Sequence, residues 1–93
     1  MTQPYLFKFF GREDPNSMEM TTVVNDLEKK LGLSVLRLEV WHNHQNKKLF
    51  DKTLKKLQMR ELSLPAFFNK KTGQLITGTQ DYSTLESWAK GKK

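Results

Sequence analysis

The chain has 93 residues, enough for one domain with a modest core and too few for two. Sixteen Lys and Arg against ten Asp and Glu give a formal charge of +6, which favours anionic partners. There is no cysteine, and this excludes disulfides, cysteine-only metal clusters, thiol nucleophiles and Cys-x-x-Cys redox chemistry.

No run approaches the roughly 18 apolar residues needed to cross a bilayer. The opening stretch MTQPYLFKFFGRED has a short apolar run and no small-residue cleavage site, so no secretory signal is expected. Tyr5 to Phe10, YLFKFF, lies between Pro4 and Gly11 and reads as a strand near the middle of a sheet. Lys8 is expected to send its ammonium out past its apolar neighbours.

Asp14 and Pro15 mark a helix start. An Asp side chain accepts from an unpaired first-turn amide, and proline at the first helical position has no N–H to leave unpaired. Met20, Val23, Val24, Leu27 and Leu31 recur at helical spacing, and Gly32 is a left-handed stop with Leu33 packing back on the last turn. Ser34 to Trp41 alternates, placing Leu36, Leu38 and Val40 on one clean apolar face of a second strand. His42 to Gln45 reads as a polar turn. A second helix is expected from about Asn46 to Gln58, with Phe50, Leu54 and Leu57 inward and Lys48, Lys52, Lys55 and Lys56 outward.

In Leu62 to Phe68, Pro65 precedes the apolar triplet AFF, and proline is tolerated at a strand's first residue. NKKTG then turns into a short strand, Gln74 to Thr77, ended by Gly78, so the two strands form a hairpin. Asp81 caps a last helix carrying Tyr82, Leu85, Trp88 and Ala89 on its apolar side. Gly91 ends it, and the basic tail 91–93 is expected to fray. The order β-α-β-α-β-β-α implies a parallel βαβ unit closed by an antiparallel pair. The expectation is one α/β domain over 1–93: a small mixed four-stranded sheet with helices on both faces.

This order, with a proline opening the third strand, resembles the thioredoxin/glutaredoxin superfamily. The resemblance runs from Tyr5 to Trp88, and FKFFGREDPNSMEM and SLPAFFNKKTGQLITG carry it best. In redox members a Cys-x-x-Cys motif lies between the first strand and the first helix, beside a cis-proline. On that alignment Asp14, Pro15, Asn16 and Ser17 fill the motif, Asp14 and Ser17 stand where the cysteines would be, and Pro65 matches the cis-proline. A carboxylate and a hydroxyl cannot exchange disulfides, because the reaction needs a thiolate attacking sulfur. The resemblance therefore implies a non-catalytic member of the superfamily. It extends to small proteins of plastids and photosynthetic microbes, which puts plastid or cytoplasm foremost as compartments, and a clock-type thioredoxin-like regulatory binder shares the Pro-Asn-Ser.

Two readings of DPNS follow: capping residues that keep the helix start, or part of a surface that binds a partner or an anion, although Asp14 and Glu13 would repel an anion at this helix N-terminus. Beside it, Met18, Leu64, Pro15 and Pro65 are candidates for a small apolar patch able to grip a peptide segment. The strongest charge feature spans Lys47 to Lys71, where Lys48, Lys52, Lys55, Lys56, Arg60, Lys70 and Lys71 are candidate partner contacts. An acidic protein surface and a nucleic-acid backbone both fit such a face. His42 and His44, two apart in extended backbone, point the same way, but two ligands without a carboxylate make a poor metal site, so no metal and no cofactor is expected. Trp41 and Trp88 read as core or core-edge residues, and as interface anchors if exposed. The function expected is protein binding as a small subunit or assembly factor of a larger complex, not catalysis. The alternatives are a nucleic-acid-binding accessory protein and a clock-type regulator. A glutathione-type transferase using Ser17 or Tyr5 would need an added helical half.

Overall fold

In a computed structural model of the protein, residues 5–59 and 63–91 are described. They form β1 (Leu6–Phe10), α1 (Pro15–Leu31), β2 (Val35–Glu39), α2 (His44–Lys56), β3 (Ala66–Asn69), β4 (Leu75–Thr77) and α3 (Tyr82–Lys90). The four strands make one mixed sheet in the order β2-β1-β3-β4. β1 is parallel to β2, with Lys8 beside Arg37, and antiparallel to β3, with Lys8 opposite Phe67. β3 and β4 are antiparallel.

Alternation along the central strand divides the core between the two faces. Leu6 joins Met20, Val24 and Leu27 of α1, Phe67 of β3, and Leu85 and Trp88 of α3. Phe9 points the other way and joins Val40, Phe50 and Leu54 under α2, with Ala66. Each layer holds an aromatic contact: Phe67 meets Trp88 edge-on at 5.5 Å between ring centres, and Phe9 meets Phe50 at 4.8 Å. Complete burial of a side chain of this kind is worth about 1.5–3 kcal/mol, so these residues supply most of the drive for closing helices over both faces.

The helix limits follow local chemistry. Asp14 caps α1 by accepting from the Ser17 amide, and Pro15 is the first helical residue. Gly32 ends the helix at φ 63°, a left-handed conformation that costs a residue with a Cβ more than it costs glycine. Asp81 caps α3 through the Thr84 amide.

Several limits differ from expectation. α2 begins at His44, earlier than its apolar stripe suggested, because Asn43 caps it by accepting from the Asn46 amide. It ends at Lys56; Leu57 is its half-buried cap, and Gln58 takes positive φ. β2 is an edge strand, shorter than the alternating segment. The face expected to be buried is covered only toward its end: Val40 is enclosed, Leu38 half-buried, and Leu36 is 42% exposed. Gly91, expected to fray, donates to the Ser87 and Trp88 carbonyls as the cap of α3. Leu62, Lys92 and Lys93 lie outside the described residues.

Candidate functional site

The β1–α1 junction is a closed hydrogen-bonded knot. Asp14 Oδ2 accepts from the Ser17 amide at 3.1 Å and from Ser17 Oγ at 2.7 Å. The Gly11 amide donates to Ser17 Oγ at 3.3 Å, and the Asp14 amide to the Gly11 carbonyl at 3.0 Å. Ser17 is fully enclosed and its hydroxyl is engaged as donor and acceptor, so it does not face a solvent-borne substrate. Pro15 and Asn16 are exposed. Pro65, buried, follows a cis Leu64–Pro65 bond. The β1–β3 register pairs Phe9 with Ala66, so Leu64 and Pro65 lie toward the end of β1 that leads into α1. The backbone of Leu64 makes no hydrogen bond among the described residues. Met18 is 55% exposed at the same end of the sheet.

Lys8 departs from expectation. Its side chain does not reach solvent: it is 2% exposed, and its ammonium donates to the Ser17 carbonyl at 2.9 Å. From the middle of β1 it lies beneath the first turn of α1, which leaves it only a narrow opening toward the hollow beside that turn. Burial, reinforced by the Arg37 charge on the neighbouring strand, lowers its pKa from 10.5 to about 8. A cavity of about 630 Å³ lies against it, reaching Phe10, Met18, Arg37, Glu39 and His42.

Around that cavity the remaining charges are engaged. Glu39 accepts from the amides of Arg12, Trp41 and His42 at 2.9, 3.1 and 2.7 Å. Burial works to raise its pKa, but these three donors prevail and hold it below the ordinary value. Glu13 pairs with the His42 ring and with Arg12, and the His42 contact is the main reason its pKa is lowered. Arg37 bonds Glu28 and Asn25 of α1 at 2.8 and 2.6 Å. His42 and His44 do not converge as extended backbone would have them: His42 turns to Glu13, and His44 opens α2. Among the described residues no group of three or more His, Asp or Glu is placed to hold a metal.

Trp41, expected at the core or its edge, is 50% exposed and lies flat on Gly11. A Cβ at Gly11 would meet the indole at 2.5 Å, so Gly11→Ala is expected to lift the ring away. Trp88 is buried, so the change in emission reports Trp41: a red shift with increased acrylamide quenching, and a stability loss of about 1 kcal/mol. An unshifted spectrum would show that the glycine does not seat the ring.

On the opposite face of the sheet lies a second hollow of about 370 Å³, between α2 and the sheet. Phe7 and Phe68 make its floor with rings stacked at 6.3 Å, and Leu49 and Leu57 add apolar wall. Lys52, Lys56 and Lys70 stand at it, all exposed and none in an ion pair with a described residue. Of the lysines read as one basic face, these three come together. Lys48 and Lys55 are exposed elsewhere on α2, Lys71 lies over the Tyr5 ring at 4.1 Å, and Arg60 lies outside the described residues. Met18 and Leu64 belong to the opposite end, so the expected partner contacts divide into two surfaces.

Sequence reasoning missed three features. The aromatic floor joins Phe7 and Phe68 from separate strands, and no local pattern announces it. The enclosure of Lys8 depends on α1 lying over it. Asn69, read as a turn residue, is buried and bonds the Trp88 carbonyl; an Asn closing an apolar strand was the one available cue. No known family profile matches the chain, and no curated protein shows significant similarity to it.

Proposed function

We propose that the chain is a thioredoxin-like module without redox chemistry, and that it binds an acidic, amphipathic segment of a protein partner as a small subunit or assembly factor of a larger complex. Support for the fold assignment comes from the element order, the strand order β2-β1-β3-β4, and a proline directly before β3. With no thiol in the chain, that junction keeps the capping chemistry of a helix start and nothing that exchanges sulfur.

The observation that carries the binding role is the α2 hollow: an apolar floor ringed by Lys52, Lys56 and Lys70. An apolar side chain entering the hollow would cover Phe7 and Phe68, while flanking carboxylates meet the lysines. Apolar anchors supply affinity, and complementary rim charges supply encounter rate and selectivity.

The test is an anisotropy titration with a labelled acidic peptide bearing a central tryptophan. A Lys52→Glu, Lys56→Glu, Lys70→Glu variant is expected to lose on the order of tenfold or more in affinity. A Lys48→Glu, Lys55→Glu, Lys90→Glu variant, with the same net charge, should stay close to wild type. Equal losses in both variants would reduce the effect to net charge and remove the hollow from the argument. A single-stranded RNA that binds more tightly than the peptide, with a steep salt dependence, would favour the nucleic-acid reading.

A further inference from the structure

Lys8 is enclosed, charged over much of the neutral range and without a carboxylate partner among the described residues. Buried charges are ordinarily paired. Its ammonium has three N–H donors; one goes to the Ser17 carbonyl, and the Phe10 ring face lies 5.5 Å away. The charged groups facing this region from each packed element are committed elsewhere. On β2, Arg37 is held by Glu28 of α1, and Glu39 by three backbone amides. In the β1–α1 loop Arg12 is paired with Glu13, and in the β2–α2 loop His42 is paired with the same carboxylate. Lys8 is among the residues lining an open hollow of about 630 Å³, a size that admits a small organic molecule.

We propose that this cavity binds a small monocarboxylate with an apolar body, its carboxylate on the Lys8 ammonium and its body against Phe10 and Met18. Lys8, Arg12 and Arg37 line the cavity against the single carboxylate of Glu39, so its lining favours an anion, and Phe10 and Met18 favour one with an apolar body. The site is separate from the α2 hollow and does not depend on the protein partner.

Proton linkage supports the assignment. Lys8 holds its proton only up to about pH 8, and a bound anion stabilises the ammonium. Binding is thus accompanied by proton uptake above that pH, and it weakens as pH rises further.

The experiment is calorimetric titration of the intact chain with benzoate and benzamide at pH 7 and pH 9. Alongside it, the Lys8 Cε resonance is followed against pH with and without benzoate. Benzoate is expected to bind, with benzamide weaker by about tenfold or more. The Lys8 titration midpoint should move upward with benzoate, and Lys8→Met, folded by circular dichroism, should lose benzoate binding. Equal binding of benzamide, retention of benzoate by Lys8→Met, or a Lys8 midpoint unmoved by saturating benzoate would overturn the proposal. The resonance measurement uses the wild-type chain, so it decides the matter even if the variant does not fold.

Discussion

Asn69→Ala should lower the unfolding free energy by about 2–4 kcal/mol, more than its place at the end of a short strand suggests. The side chain is 1% exposed and serves three backbone groups. Its Nδ2 donates to the Trp88 carbonyl at 2.9 Å, tying β3 to the last turn of α3. Its Oδ1 accepts from the amides of Lys71 at 2.9 Å and Thr72 at 3.3 Å, folding the turn that leads into β4. Alanine removes all three bonds; an unsatisfied buried group such as the Trp88 carbonyl costs about 1–3 kcal/mol, while the Lys71 and Thr72 amides lie in an exposed turn and cost less. The Trp88 carbonyl keeps a second bond from the Gly91 amide, and this places the expectation below the simple sum.

Asn69→Asp should be worse still, because it turns a carboxylate oxygen toward the Trp88 carbonyl and buries a charge. The measurement is urea unfolding, where the midpoint should fall with an unchanged slope. A midpoint shift corresponding to less than about 0.5 kcal/mol would show that water replaces the amide freely. Function is coupled to this residue through geometry. The turn it holds carries Lys70 and Gly73 to the α2 hollow, so the alanine variant should also bind the acidic peptide more weakly.

What could be read from the chain and what could not divide along the range of the interactions. Asp14, Pro15, Gly32, Asp81 and Gly91 act on groups within a few residues, and α1 and α3 start and stop where those residues indicate. The central place of β1 follows from a composition that is apolar except for Lys8. Asn43 was equally local, but it sits among polar residues that read as a turn, and its capping role was masked. Leu36 alternates correctly and still faces solvent, because alternation fixes the side of a strand and says nothing of how far α2 extends over it.

The candidate site was less legible. The Asp14–Ser17 junction is contiguous and could be picked out, whereas the α2 hollow gathers Phe7, Phe68, Lys52, Lys56 and Lys70 from three parts of the chain. The basic run was visible as charge. Which of its lysines share a surface with exposed aromatic area depends on the sheet order, and that is a property of the fold.

Lys8 is the sharpest case, because a lysine on a strand can bury its stem with its head in water or out of it. Lys8→Met should make the protein more stable at pH 7, by roughly 1–2 kcal/mol after solvent screening and the lost bond to Ser17 are allowed for. The cause is that folding opposes this residue's charge. Burial, and then the Arg37 charge, bring its pKa from 10.5 down to about 8. Between those two values the unfolded chain holds a proton that the folded chain has released, so the Lys8 contribution to stability rises with pH across that window. Below about pH 8 both states are protonated and the full penalty is present; above 10.5 both are neutral and it is gone. The advantage of Lys8→Met over wild type should therefore be constant near neutrality and shrink steadily from pH 8 toward pH 10.5. Other lysines and tyrosines titrate over the same range, so the informative quantity is the difference between the two proteins in urea unfolding at matched pH. A difference that stays flat from pH 7 to pH 10 would mean that Lys8 titrates as it does in water, and its enclosure beneath α1 would then carry no electrostatic cost. If the difference shrinks as expected, the chain retains a buried cation that destabilises it, which is the behaviour of a residue kept for a ligand and not for the fold.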